Sequence, residues 1–140
     1  MRLDDITGAV LEEAIRIHRR PGPGLLESVY EQLLEKKLQQ RGLRVESQVG
    51  IDFTYDSIEF KDGFRIDLLV ERSVILEVKS LERGLAAVHT KQLLTYLRLT
   101  DLRVGLVLNF GGATMKEGIK RVVNDLPPSE SSVLCVNREE

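Results

Sequence analysis

The chain has 140 residues, 42% hydrophobic and 30% charged, the mixture of an ordinary globular domain able to bury about two thirds of its unfolded surface without a metal or disulfide. Twenty Lys and Arg against 22 Asp and Glu give a net charge of -2, which excludes attachment to nucleic acid by bulk positive charge; a phosphate partner must be gripped locally. A single Cys135 and two histidines exclude an internal disulfide and a Cys/His zinc cluster. One domain spanning residues 1–140 is expected. The acidic start, Met1 to Asp5, leads into an amphipathic segment with no apolar secretory core, and no apolar run approaches the ~20 residues of a membrane helix. The expectation is a cytoplasmic protein with no membrane contact.

Ile6, Ala9, Val10, Ala14 and Ile17 recur at helical spacing opposite Glu12, Glu13, Arg16 and Arg19, predicting a one-sided helix with Asp4 and Asp5 as capping candidates. It stops near Arg20, because Pro21-Gly22-Pro23-Gly24 removes amide donors and supplies turn conformations. Arg16, Arg19 and Arg20 sit where a helix dipole favours cations, which accounts for them. A second helix is predicted from Leu25 to Gln40, with Leu26, Val29, Tyr30, Leu33 and Lys37 in one stripe and Leu34 and Leu38 widening it. Glu27 falls at the border of that stripe, where a carboxylate points along the surface toward a neighbouring cleft. Between Val45 and Lys79 the period changes to two, with turn residues at Asp56-Ser57 and Asp62-Gly63, predicting three or four strands. The strongest are Phe64 to Val70 and Val74 to Lys79, close enough to form an antiparallel hairpin. A helix from Ala86 to Leu99, an apolar strand from Val104 to Asn109, a helix from Thr114 to Asn124 and an edge strand from Val133 to Val136 complete the pattern. The order predicts an α/β fold, a mixed β-sheet flanked by helices.

Charges interrupt the two best strands. Asp67 breaks the run Ile66, Leu68, Leu69, Val70, while Glu77 and Lys79 share one face of Val74, Ile75, Leu76, Val78. A three-residue loop, Glu71-Arg72-Ser73, pairs Val70 with Val74 and sets Asp67 opposite Glu77, with β-carbons roughly 5 Å apart. Adjacent carboxylates repel, and a divalent cation relieves the repulsion; hard oxygen donors suit Mg²⁺ or Mn²⁺, which keep waters and accept substrate phosphate. Lys79 beside such an ion could stabilise developing negative charge, making a hydrolytic centre. A solvated salt-bridge ladder of the same residues is the bland alternative, weighed down by the apolar setting. On the following helix Gln92 and Tyr96 share a face, one turn beyond His89. An amide and a phenol there could orient a phosphate or water, against the plainer roles of a core tyrosine and a capping histidine. Gly111-Gly112 lacks the ending of a phosphate loop and reads as a strand-to-helix turn.

Gly24-Leu25-Leu26-Glu27-Ser28-Val29-Tyr30 resembles the motif that gives the GxxExxY proteins their name. The resemblance continues through Gly63 to Val70, Ile75 to Lys79, Val88 to Leu97, Leu106 to Phe110 and Gly118 to Val123. That family looks like a compact branch of the PD-(D/E)XK nuclease superfamily, with a restriction-endonuclease-like core. The resemblance implies that Asp67 and Glu77 are metal-binding acids and Lys79 the lysine of the E-x-K element. Glu27 would be an additional acid from the preceding helix, and Gln92 with Tyr96 a helix motif beside the site. Ile66 stands where the superfamily name has proline. The implied function is a Mg²⁺- or Mn²⁺-dependent nuclease acting on nucleic acid, DNA before RNA. In it Asp67, Glu77 and the Val78 carbonyl hold the ion, Lys79, Glu27 and Gln92 serve catalysis, and Tyr96 and His89 meet substrate. A homodimer is expected only from the commonness of dimers among small nucleases that cut duplexes. The alternative is a noncatalytic nucleic-acid-binding or assembly module with the same fold.

Overall fold

A computed structural model describes residues 1–125. Along them run α1 (Leu3–Arg19), α2 (Glu27–Gln40), β1 (Val45–Tyr55), β2 (Ile58–Val70), β3 (Val74–Lys79), α3 (Ala87–Thr100), β4 (Val104–Asn109), α4 (Met115–Gly118) and β5 (Ile119–Val123). The strands form one sheet in the order β1-β2-β3-β4-β5. Every neighbouring pair is antiparallel except β3 and β4, which are parallel and joined by α3, the crossover that parallel strands require. This is the expected α/β architecture, a mixed sheet flanked by helices and consistent with a restriction-endonuclease-like fold.

Each face of the sheet has its own apolar layer. Val10, Ala14 and Ile17 of α1 and Tyr30, Leu34 and Leu38 of α2 pack on Leu68, Leu76, Val78 and Leu106. Leu93 and Leu97 of α3 pack on Leu69, Ile75 and Val107 from the other side. Covered on both faces, β4 is buried along all six residues, which is why it reads as an unbroken apolar run.

Several expectations are corrected. Asp4 and Asp5 lie inside the first turn of α1, favourably placed for the dipole, while the N-cap is Arg2 without a side-chain cap. The buried stripe of α2 is Tyr30, Leu34 and Leu38; Leu26 is 74% exposed, because it precedes the helix. Asp56-Ser57 is a turn with both residues at positive φ, but Asp62-Gly63 lies within β2 as an irregularity, so Phe64 to Val70 is the second half of a long strand. Gly63 is needed there because the Phe53 ring occupies the place of a Cβ. The helix expected from Thr114 to Asn124 is one turn, α4, followed by β5. Ile119, Val122 and Val123 pair with the edge of β4, a tertiary demand that overrides the local pattern. The strand expected at Val133 to Val136 lies outside the described residues. No described helix is long and apolar enough to cross a membrane.

Candidate metal centre

Register brings the two acids together. Val70 pairs with Val74, Leu69 with Ile75 and Leu68 with Leu76, the alignment read from the three-residue loop. The ladder ends there, and the acids take over its hydrogen bonding. The Asp67 amide donates to Glu77 Oε2 at 3.1 Å, and the Val78 amide donates to Asp67 Oδ2 at 2.9 Å. Each carboxylate thus holds the backbone of the opposite strand.

The neighbouring strand breaks its rhythm at the same point. Ser47 pairs with Leu68 and Val49 with Ile66, but the intervening pair is skipped, and Gln48 adopts φ 50. Leu68 faces the α1/α2 layer while Ile66 faces the α3 layer, so the alternation reverses at Asp67. Asp67 is half-buried at this irregularity, a place that sheet distortions beside active sites often take. The Gln48 amide then spans Glu31, at 2.9 and 3.1 Å, and Asp67 Oδ1, at 3.4 Å.

The electrostatics follow from burial. Glu77 is 6% exposed, and burial first, then the charge of Asp67, push its carboxyl up to about 8, against the pull of the Asp67 amide and of Lys79. Burial also raises Asp67, opposed by the Val78 amide, Lys79 and Gln48. Glu31 is raised by burial and by Asp67, Glu35 and Glu27, with Gln48 holding it back. Tyr96 is raised by burial and by both acids; its ring stacks on Phe64 with centroids 4.3 Å apart. The phenol therefore stays a proton donor.

Lys79 is half-buried at the end of β3, where its charge acts on both acids. Glu27 is exposed at the first turn of α2, and Ser80 fixes it: the Ser80 amide donates to Glu27 Oε2 at 3.2 Å and its hydroxyl to the Leu25 carbonyl at 2.7 Å. Tyr30 braces the same loop from within, its hydroxyl donating to the Gly22 carbonyl and accepting from the Leu25 amide, its ring stacked on Phe110. Beside Lys79 on β4, buried Asn109 clamps the outgoing chain through both the amide and the carbonyl of Leu81. Gln92 is exposed on α3, and its side chain makes no hydrogen bond among the described residues. His89 Nδ1 accepts the Ala86 amide at 3.0 Å and so caps α3. Sequence reasoning missed Glu31, Gln48 and Ser80. Glu31 was legible as the residue four beyond Glu27 on one helix flank; the backbone of Gln48 carried no signal.

Among the described residues no three acidic, histidine or cysteine side chains cage an ion by themselves. Two hard carboxylates suit an ion that completes its shell with waters, as Mg²⁺ and Mn²⁺ do. Glu77 Oε1 accepts no hydrogen bond among the described residues, and Asp67 Oδ1 has only the long contact to Gln48. The donors fit such an ion, and its charge would offset the burial and the repulsion from Asp67 that together keep Glu77 protonated.

A family model described as the PD-(D/E)XK nuclease superfamily matches residues 4–122. No curated protein and no solved structure matches the chain. The chain belongs to the PD-(D/E)XK nuclease superfamily.

Proposed function

We propose that this member of the PD-(D/E)XK nuclease superfamily hydrolyses phosphodiester bonds of nucleic acid, DNA before RNA, with Mg²⁺ or Mn²⁺ held by Asp67, Glu77 and the Val78 carbonyl. The carrying observation is the pair of acids, Glu77 buried and Asp67 half-buried, linked across β2 and β3, with Lys79 acting on both from the end of β3. The run Gly24 to Tyr30 supports the finer placement in the GxxExxY branch.

The ion supplies Lewis-acid stabilisation of charge developing on the phosphate. Lys79 positions the attacking water and stabilises negative charge through its ammonium group. Glu27, fixed by Ser80, orients that water or supports a second ion. As the water oxygen bonds to phosphorus, the bond to the leaving sugar oxygen breaks; the water gives its proton to solvent, and the leaving oxygen takes a proton from solvent to become the hydroxyl. Gln92, unspent within the fold, and the protonated Tyr96 meet phosphate oxygens. His89 serves substrate only through the start of α3 that it caps.

The noncatalytic binding or assembly reading draws on the hydrogen bonds that both acids already accept from backbone amides, since these give them a structural use. Incubation with Mg²⁺ or Mn²⁺ and single-stranded, duplex and branched DNA and RNA separates the two. The nuclease reading expects cleavage by the native protein, lost in Asp67→Ala and Lys79→Ala. Metal-dependent binding without cleavage establishes the alternative, and cleavage that survives both substitutions belongs to a contaminant.

A further inference from the structure

The net charge of -2 requires a local grip on phosphate, and at the acidic centre the cation acting on both acids is Lys79. A groove of about 670 Å³ between α1 and α2 gathers others. Ile17 and Leu33 form apolar parts of its lining, and five cationic side chains surround them: Arg16, Arg19, Arg20, Lys37 and Arg41. Buried Glu13 pairs with Arg16 and Arg41, each at 3.0 Å, and Arg41 also reaches Glu12 at 2.8 Å. Arg19, Arg20 and Lys37 are exposed and make no ion pair among the described residues. The α1 dipole explains cations at the end of that helix. Lys37 stands likewise in the last turn of α2, and the packing of the two helices gathers all three cations on one groove, where an anion among them would relieve their mutual repulsion.

The groove has a definite relation to the acids. Taking about 100° per residue, Glu27 lies in line with the buried α2 stripe of Tyr30, Leu34 and Leu38, one turn before it, Glu31 lies to one side of that stripe, and Leu33 and Lys37 lie to the other. Along the helix axis Leu33 and Lys37 stand ~9 and ~15 Å from Glu27, roughly three to four nucleotides of B-form strand at ~3.4 Å each. That separation, near the Debye length of ~8–10 Å, keeps the cations from simply neutralising the acids. Between the two sites the loop from Pro21 to Leu26 is largely exposed, leaving a path over the N-terminal end of α2.

We propose that the α1/α2 groove binds the sugar-phosphate backbone of the nucleic-acid substrate, several nucleotides from the scissile bond, through Arg19, Arg20 and Lys37. The proposal rests on the nuclease reading for its substrate and on the groove alone for its location. The three cations carry affinity, and the acidic centre carries chemistry.

The test compares the native protein with the triple variant Arg19→Ala, Arg20→Ala, Lys37→Ala, and with Arg98→Ala, which removes an exposed cation from α3. Binding of a fluorescein-labelled DNA duplex is followed by anisotropy against salt, and Mn²⁺-dependent hydrolysis of bis(p-nitrophenyl) phosphate, too small to reach the groove, reports the centre. The triple variant is expected to bind at least about tenfold more weakly, with a log-log salt slope reduced by about two to three. Its hydrolysis of the small ester and its melting temperature stay native. Arg98→Ala binds as the native protein, and a variant with Arg19→Lys and Arg20→Lys retains most affinity. Unchanged affinity and slope in the triple variant overturn the groove while leaving the nuclease reading intact. Weakened binding with no hydrolysis by any form supports the groove and removes the nuclease reading. Polyglutamate binding the groove more tightly than DNA assigns it to an acidic protein and overturns the proposal.

Discussion

Glu77 carries the largest electrostatic strain at the site. Its carboxyl ordinarily loses its proton near 4.5 and is pushed up to about 8 by burial and by Asp67. The folded chain thus holds a proton that the unfolded chain releases, so stability of the metal-free protein falls as pH rises across that window. Glu77→Gln keeps an acceptor for the Asp67 amide and removes the charge. The variant is expected to melt higher than the native protein at pH 8 without metal, by on the order of 5 °C, while losing Mn²⁺ affinity; thermal denaturation with and without Mn²⁺ checks both, and a lower melting point would refute the strain. This trade of stability for function is what a built active site predicts. Binding of the ion requires the carboxylate, so Mn²⁺ affinity measured by calorimetry rises between pH 6 and 8 and levels off above. Lys79 differs in kind. Lys79→Ala is expected to lower the cleavage rate by about 10²–10⁴ with Mn²⁺ affinity retained, whereas Asp67→Ala loses both, a contrast that metal titration beside single-turnover cleavage would reveal.

At the scale of elements, the site is held by contacts in which the backbone is the partner. Tyr30 satisfies two backbone groups of the loop that delivers Glu27. Tyr30→Phe leaves both unpaired and is expected to cost about 1–3 kcal/mol in urea denaturation, with slower cleavage and unchanged Mn²⁺ affinity at Asp67 and Glu77. Gly118 is tighter still, since a Cβ there would meet the Asn109 carbonyl oxygen at 2.2 Å. The elements legible in the sequence were those whose periodicity matches burial: α1, α3, β3 and β4 lie within two or three residues of expectation. The 70/74 pairing was legible because a three-residue loop permits one register, and with it came the meeting of Asp67 and Glu77. The stretch after Thr114 was misread because Met115, Ile119 and Val122 satisfy a helical spacing, while only the exposed edge of β4 reveals that a strand is wanted. The positive φ of Gln48 and the reversal at Asp67 have no sequence signature, since neither residue type calls for them.

Across the whole molecule charge is divided between the flanks of α2. The acids gather where β2, β3 and the first turns of α2 meet, and Arg19, Arg20 and Lys37, without an ion pair among the described residues, gather between α2 and α1. Sequence totals concealed this division, because the two regions cancel in the sum. The mixed sheet was legible in outline from the order of elements, whereas the grouping of Lys37 with Arg19 and Arg20 required the helix pair to be packed. The central claim is that Asp67 and Glu77, with the Val78 carbonyl, hold a divalent ion beside Lys79. The most direct measurement is the anomalous difference map of a crystal soaked in Mn²⁺. The account predicts one strong peak within roughly 2.0–2.3 Å of oxygens from both carboxylates, and its loss in Asp67→Ala. Saturating Mn²⁺ with both carboxylates still on the opposing strands' amides and no peak between them would contradict it.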